Sequence, residues 1–173
     1  ELDPKFAMAW NNRGNARKSK GDYDGSIEDY NKAIQLDPKF VKAWNNRGLA
    51  KRNNGDHDGA IEDFNKAIEL DPKYVKAWVN RGNARREKGD FDGAIVDYNR
   101  AIELHPEYVK AFHNRGVVRV NKEDYDGAIE DYTRAIEIDP EYVKAWYSRG
   151  LVRNFTGDPD GAIKDYSRAI EID

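Results

Sequence analysis

The chain repeats itself every 34 residues. Trp10, Trp44, Trp78, Phe112 and Trp146 fall at that interval, and so do Gly14, Gly48, Gly82, Gly116 and Gly150. Ala33, Ala67, Ala101, Ala135 and Ala169 keep it too, while Pro38, Pro72, Pro106 and Pro140 mark the joints. A period of this length confines a chain to architectures in which each unit is one supersecondary element that buries its apolar side only against its neighbours. The units run 7–40, 41–74, 75–108, 109–142 and an incomplete 143–173, and residues 1–6 read as the tail of a preceding unit.

Within 41–74, Ala43, Trp44, Arg47, Gly48 and Lys51 recur at helical spacing and stop at the breaker pair Gly55-Asp56. Ala60, Ile61, Phe64, Ala67, Ile68 and Leu70 then form an apolar stripe of the same period. Asp71-Pro72 ends it, because proline lacks an amide hydrogen and pushes its predecessor out of the α region. Each unit is therefore expected to be two helices of about four turns joined by a tight turn. Asp22, Asp56, Asp90, Asp124 and Asp158 are placed to cap the second helices. A glycine inside the first helix costs about 1 kcal/mol of propensity relative to alanine, so something must approach too closely to admit a side chain. The expectation is a helix crossing at Gly48 and its equivalents, with Ala60 and Ala67 as small partners. The tryptophan column and Tyr30, Phe64, Tyr98, Tyr132 and Tyr166 are expected to be wedges in a continuous core.

These residues resemble the tetratricopeptide repeat family. Its pattern of tryptophan, glycine, alanine, aromatic, alanine and proline is matched in 41–74 by Trp44, Gly48, Ala60, Phe64, Ala67 and Pro72, and the match recurs in phase along essentially the whole chain. The resemblance implies an all-α, right-handed superhelical solenoid of antiparallel helix hairpins, forming one solenoid domain that serves as a non-catalytic scaffold for protein–protein interaction. It also implies that first helices line a concave inner wall and second helices the outer one. Two columns depart from the family. Arg13, Arg47, Arg81, Arg115 and Arg149 stand where leucine is usual, and Arg17, Lys51, Arg85, Arg119 and Arg153 where tyrosine often stands. A cation at a leucine position must be paired or reach water. Since Asp29, Asp63, Asp97, Asp131 and Asp165 recur as faithfully, Arg47, Arg81, Arg115 and Arg149 are expected to bond aspartates of their own or the adjoining unit.

Charge is sorted by helix. The net charge is only -3, from 29 basic and 32 acidic residues, yet the five first helices hold twenty lysines and arginines and one acid, Glu87. On the inner wall that the resemblance implies, they would make a positive groove able to steer an acidic partner. The candidate peptide-binding residues are Asn11, Asn12, Asn15, Lys42, Asn45, Asn46, Lys76, Asn80, Asn83, Lys110, Asn114 and Lys144, with Lys18, Arg52 and Arg86 at the far end of the same face. Asparagine offers a donor and an acceptor, as an extended peptide backbone requires. The expected partner is a protein or peptide with an acidic segment. The chaperone-binding branch of the family suggests a carboxylate clamp, of which Asn15, Asn46 and Lys76 match three of five positions, while the lysine expected at Asn11 and the arginine expected at Asn80 are absent. A basic track is also open to nucleic acid, against which stand the acidic total and the core role of the aromatics. A merely solvated basic face is the remaining alternative.

Other chemistries find little support. There is no cysteine, hence no disulfide or thiolate. His57, His105 and His113 are scattered without metal-site or triad spacing, so neither an enzyme nor a cofactor is expected. No apolar run reaches the ~18 residues of a membrane span; no membrane partner is expected, and a cytoplasmic setting is favoured. Apolar residues of the last unit, Phe155, Ile163, Tyr166 and Ile170, would allow head-to-tail self-association.

Overall fold

The computed structural model describes the backbone of residues 4–172 and the side chains of residues 6–172. The described residues form helices joined by short turns, with no strand among them. In order these are α1 (Pro4–Ser19), α2 (Tyr23–Leu36), α3 (Val41–Asn53), α4 (His57–Leu70), α5 (Val75–Glu87), α6 (Phe91–Leu104), α7 (Val109–Asn121), α8 (Tyr125–Ile138), α9 (Val143–Phe155) and α10 (Pro159–Ile172). The chain divides into two compact bodies, an N-terminal one ending at Gly89 and a C-terminal one beginning at Asp90.

Local chemistry sets the helix ends. Asp22, Asp56, Asp90, Asp124 and Asp158 accept hydrogen bonds from the amides of Gly25, Gly59, Gly93, Gly127 and Gly161 at 2.9–3.1 Å, satisfying donors that the first turn leaves open. The carboxylate lies so close that a β-carbon on Gly59 would stand 2.2 Å from Asp56 Oδ2. At the joints, Asp37, Asp71 and Asp139 accept from the amides of Lys39, Lys73 and Glu141 at 3.0–3.1 Å, the turn that aspartate favours. One boundary differs from the sequence reading. Residues 4–6, assigned to the tail of a preceding unit, belong to α1, because proline in a first turn has no amide to lose and a φ already suited to the helix.

In the N-terminal body α1 pairs with α2 and α3 with α4, and α3 and α5 pack on the preceding even helices; in the C-terminal body α7 pairs with α8 and α9 with α10, while α7 and α9 pack on α6 and α8. The joints are small-residue cores: Ala33, Ile34 and Ala43 under Trp10, Phe40 and Trp44, Ala67, Ile68 and Ala77 under Trp44, Tyr74 and Trp78, and Phe112, Ala135, Ile136 and Ala145 in the C-terminal body. Gly48 is a crossing point, as expected, but its partner is different. A β-carbon there would meet the Phe64 ring at 2.7 Å, so the aromatic of the second helix, not Ala60 or Ala67, fills the approach. Those alanines instead admit the next unit, Ala60 beside Ala84 and Ala67 beside Ala77.

The odd helices draw together. α1 touches α3 and α3 touches α5 in one body, and α7 touches α9 in the other, whereas among the described residues α2 does not approach α4, nor does α8 approach α6 or α10. Within each body the odd helices thus line the more tightly spaced side.

Candidate functional site

The arginine column is a framework. Arg47 donates from Nε to Asp63 Oδ2 at 2.8 Å and from Nη2 to Oδ1 at 2.6 Å. The same fork joins Arg13 to Asp29, Arg115 to Asp131 and Arg149 to Asp165. In these four hairpins the aspartate is that of the arginine's own unit. It is buried, and a second cation shares it: Arg17, Lys51, Arg119 and Arg153 lie 3.0–3.2 Å from Asp29, Asp63, Asp131 and Asp165. Burial still pushes the Asp131 carboxyl above its ordinary range, against the downward pull of Arg115 and Arg119. Burial, then the Asp131 charge, pushes the neighbouring Tyr132 phenol up to about 12.

In four units the arginine also reaches the preceding unit. Nη1 of Arg47, Arg81, Arg115 and Arg149 donates to Asn31, Asn65, Asn99 and Thr133 at 2.6–2.9 Å. Each of the five guanidiniums also lies over the aromatic ring three residues earlier, 4.3–5.6 Å from its centroid. The tryptophans expected as interior wedges are only half-buried. Trp44, Trp78 and Trp146 keep an indole N–H to donate to the carbonyls of Pro38, Pro72 and Pro140, and arginine roofs the ring. At least eight of the twenty first-helix cations are thus tied to buried aspartates, and Lys88 and Lys122 pair with Asp58 and Asp92 of the preceding units. Sequence reasoning missed both cross-unit bonds. The signal was available in the column Asn31, Asn65, Asn99 and Thr133, spaced by 34 like the rest.

What remains on the odd-helix side of the N-terminal body is an asparagine ladder flanked by lysines. Asn46 Nδ2 donates to Asn11 Oδ1 at 2.9 Å and Asn80 Nδ2 to Asn45 Oδ1 at 2.8 Å, while Asn11 and Asn45 donate to their neighbours Asn12 and Asn46 at 3.3 and 3.5 Å. Asn11 and Asn45 are 5% and 2% exposed. The prediction that these two present free amides to a peptide is therefore corrected: they are consumed in joining consecutive first helices. Asn15 is half-buried and accepts from the Tyr30 hydroxyl at 2.8 Å, and Asn83 is half-buried. Asn12, Lys42 and Lys76 are exposed. One helical turn beyond, Glu87 lies 3.7 Å from both Arg52 and Arg86 and 3.4 Å from His57 Nδ1. Lys18, half-buried in the same column, has no acid partner among the described residues; burial, and then the charge of Arg52, lower its pKa.

The corresponding side of the C-terminal body is chemically different. Lys110 and Lys144 are exposed, and among the described residues neither holds an ion pair. Asn114 is half-buried beside His113, whose other ring nitrogen lies 3.2 Å from Ser148 Oγ. Along the rest of the face stand half-buried Val117 and Val120 and then Tyr147, Leu151 and Phe155, which are 53%, 47% and 71% exposed. Asparagines and cations give way here to apolar side chains. Among the described residues no cluster of three His, Cys, Asp or Glu could hold a metal ion, and no helix is long and apolar enough to cross a membrane.

Comparison with known proteins agrees with this architecture. Tetratricopeptide repeat profiles match residues 41–74, 64–96 and 143–173, and a further TPR repeat profile matches residues 14–55, 82–122 and 118–153. No match was found among curated protein sequences. Among solved structures, that of MamA is 32% identical with a TM-score of 0.81 and covers 92% of this chain and 93% of its own. YrrB, described as a TPR protein with an unusual peptide-binding site, is 22% identical with a TM-score of 0.72, covering 96% of this chain and 86% of its own. PilF of Pseudomonas aeruginosa, 17% identical, superposes with a TM-score of 0.90 over 98% of this chain and 77% of its own; the last two likenesses speak to the fold alone. With the profiles spanning most of the 34-residue units and a solved relative at this identity, the chain belongs to the tetratricopeptide repeat family, whose members serve as non-catalytic scaffolds for protein–protein interaction.

Proposed function

We propose that the odd-helix side of the N-terminal body binds an extended acidic segment of a partner protein. The observation that carries this reading is a selective absence of pairing. Along the first helices of this body most arginines are met by buried aspartates or by Glu87, and Lys88 by Asp58 of the preceding unit, yet among the described residues Lys18, Lys20, Lys42 and Lys76 hold no acid, and Lys18, Lys42 and Lys76 share the odd-helix side. Lys18 is moreover half-buried beside a second cation, which costs free energy that an incoming carboxylate would recover. The exposed amide of Asn12 and the ladder beneath the lysines supply polar partners for a peptide backbone. That YrrB is described as having a peptide-binding site is compatible with such a use of the fold. In the C-terminal body, taken by itself, Lys110 and Lys144 are exposed beside apolar side chains.

Titration of fluorescein-labelled hexaglutamate into the protein tests the reading. Lys42→Glu and Lys76→Glu are each expected to weaken binding by at least about tenfold, and Lys144→Glu by less. Unchanged affinity in the first two variants would sink the proposal. Tighter binding of oligouridylate, lost in the same variants, would assign the face to nucleic acid instead.

A further inference from the structure

We infer that Lys18, Arg52 and Arg86 hold a phosphorylated side chain of the partner, in competition with the chain's own Glu87. That the phosphate arrives on an acidic segment rests on the reading above; the anion site itself does not. The three cations form one column in the last turns of α1, α3 and α5, and consecutive helices of that set touch. In the C-terminal body the same column reads Val120 and Asn154, so the site belongs to the N-terminal body.

The pairing of these arginines differs from that of the framework. Arg47 and Arg149 donate to their aspartates at 2.6–2.9 Å, the lengths of charge-assisted bonds. Arg52 Nε and Arg86 Nη2 stand 3.7 Å from Glu87 Oε2 and Oε1, beyond hydrogen-bond reach. Their side chains are only 20% and 28% exposed, so these donors are held in a half-closed place with no bonded acceptor among the described residues. His57, the first residue of α4, adds a buried Nδ1 that makes no hydrogen bond among those residues, although Glu87 Oε2 lies 3.4 Å away. Glu87 thus stands among three nitrogen-bearing side chains and bonds none of them.

A phosphate ester suits this arrangement better than a carboxylate does. It brings three acceptor oxygens and about −1.5 to −2 charges at pH 7, where a carboxylate brings two oxygens in one plane and a single charge. Three cations against the one carboxylate of Glu87 leave the column two charges positive, which a dianion balances. Guanidinium forks match phosphate oxygens as they match carboxylates, and the tautomer of His57 with hydrogen on Nδ1 can donate as well. The neighbouring acids are committed elsewhere: Asp56 caps the Gly59 amide and Asp58 pairs with Lys88. Glu87 is the one acid of the five first helices, and it is the side chain closest in chemistry to the anion the site takes. It keeps the arginines loosely neutralised until a group with more charge and more acceptors replaces it.

Titrations of fluorescein-labelled hexaglutamate and of the same peptide with phosphoserine at its third position test this. The phosphopeptide is expected to bind the wild type at least about tenfold more tightly. Arg52→Gln and Arg86→Gln are each expected to erase that preference, while their remaining affinity for hexaglutamate shows that they are folded. Glu87→Gln is expected to tighten the phosphopeptide by about threefold, since no internal carboxylate then has to leave. Equal affinity of the two peptides for the wild type, or a preference that survives both arginine substitutions, would overturn the inference. Oligouridylate binding more tightly than the phosphopeptide, and lost in the same variants, would overturn it in favour of nucleic acid. The lysine reading fails separately, when Lys42→Glu and Lys76→Glu leave hexaglutamate affinity unchanged or when neither peptide binds. Inorganic phosphate then decides the anion site alone, followed at constant pH through the His57 ring signals in NMR against chloride of equal ionic strength. A saturating shift that disappears in Arg52→Gln supports the site, and a shift that persists there, or none in the wild type, removes it.

Discussion

The two bodies use one framework under two different surfaces. In both, the bidentate fork runs from the first helix to a buried aspartate sixteen residues on, as Arg47–Asp63 and as Arg115–Asp131, and in both its free arm reaches the preceding unit. The odd-helix sides diverge. The N-terminal one carries an asparagine ladder under unpaired lysines, and the C-terminal one His113, valines and exposed Tyr147 and Leu151. Side chains facing between helices see the same neighbours in every unit and so cannot drift alone. Exposed ones on the odd-helix side are under no such constraint, and on the proposed reading their divergence is where a partner would be told apart from others.

The sharpest way to break this comparison is to remove the fork in each body. Arg47→Leu and Arg115→Leu restore the residue usual in the family but leave Asp63 and Asp131 buried, with Lys51 and Arg119 as their remaining cations. Breaking a buried pair by deleting one partner costs about 3–5 kcal/mol, and with a second cation still present the lower end, about 3 kcal/mol, is expected for both variants in urea denaturation. Adding Asp63→Leu or Asp131→Leu should return part of the loss, since the uncompensated charge then goes too. A large cost in one body and a negligible one in the other would show that the framework is not shared.

The ladder belongs to one body only. Asn45→Ala deprives Asn80 of its acceptor and Asn46 of a donor inside a nearly closed contact, and leaving such groups unmet costs about 1–2 kcal/mol. Thermal melts should show this loss while hexaglutamate affinity stays within about twofold, because Asn45 is buried and the lysines remain in place. A large loss of affinity with little change in stability would return Asn45 to the binding surface.

Much of this was legible from spacing. A period of 34 names the hairpin, and a cation column at a leucine position, answered by an aspartate column, names the fork, because an unpaired charge at that depth is too costly to recur. The fate of the asparagines was not legible. Exposed and buried amides look alike in sequence, and Asn11 meets Asn46 only through the stacking of one first helix on the next. The Gly48 crossing was misread for a related reason: periodicity shows that a side chain is excluded there, but only packing shows that the Phe64 ring excludes it. The division of the odd-helix side was visible in Val117, Tyr147 and Leu151, yet counting all five first helices together averaged it away.

The smallest contrast lies in the turns between first and second helices. Gly21, Gly55 and Gly89 close them in the N-terminal body with φ of 80–86°, a conformation that glycine adopts without a steric penalty. In the C-terminal body Gly157 does the same, but the turn after α7 places Glu123 at φ 62°, where a β-carbon crowds the following carbonyl and costs about 1 kcal/mol. Glu123 is exposed, so its side chain has little packing to lose. Glu123→Gly is therefore expected to stabilise the protein by somewhat less than that, because glycine also gives the unfolded chain more freedom. Gly55→Glu, the reverse change in the other body, should destabilise by about 1 kcal/mol, again in urea denaturation. Equal and opposite shifts would mean that this turn is interchangeable between the bodies. A destabilising Glu123→Gly would mean instead that the glutamate makes a contact in the C-terminal body that outweighs its backbone strain.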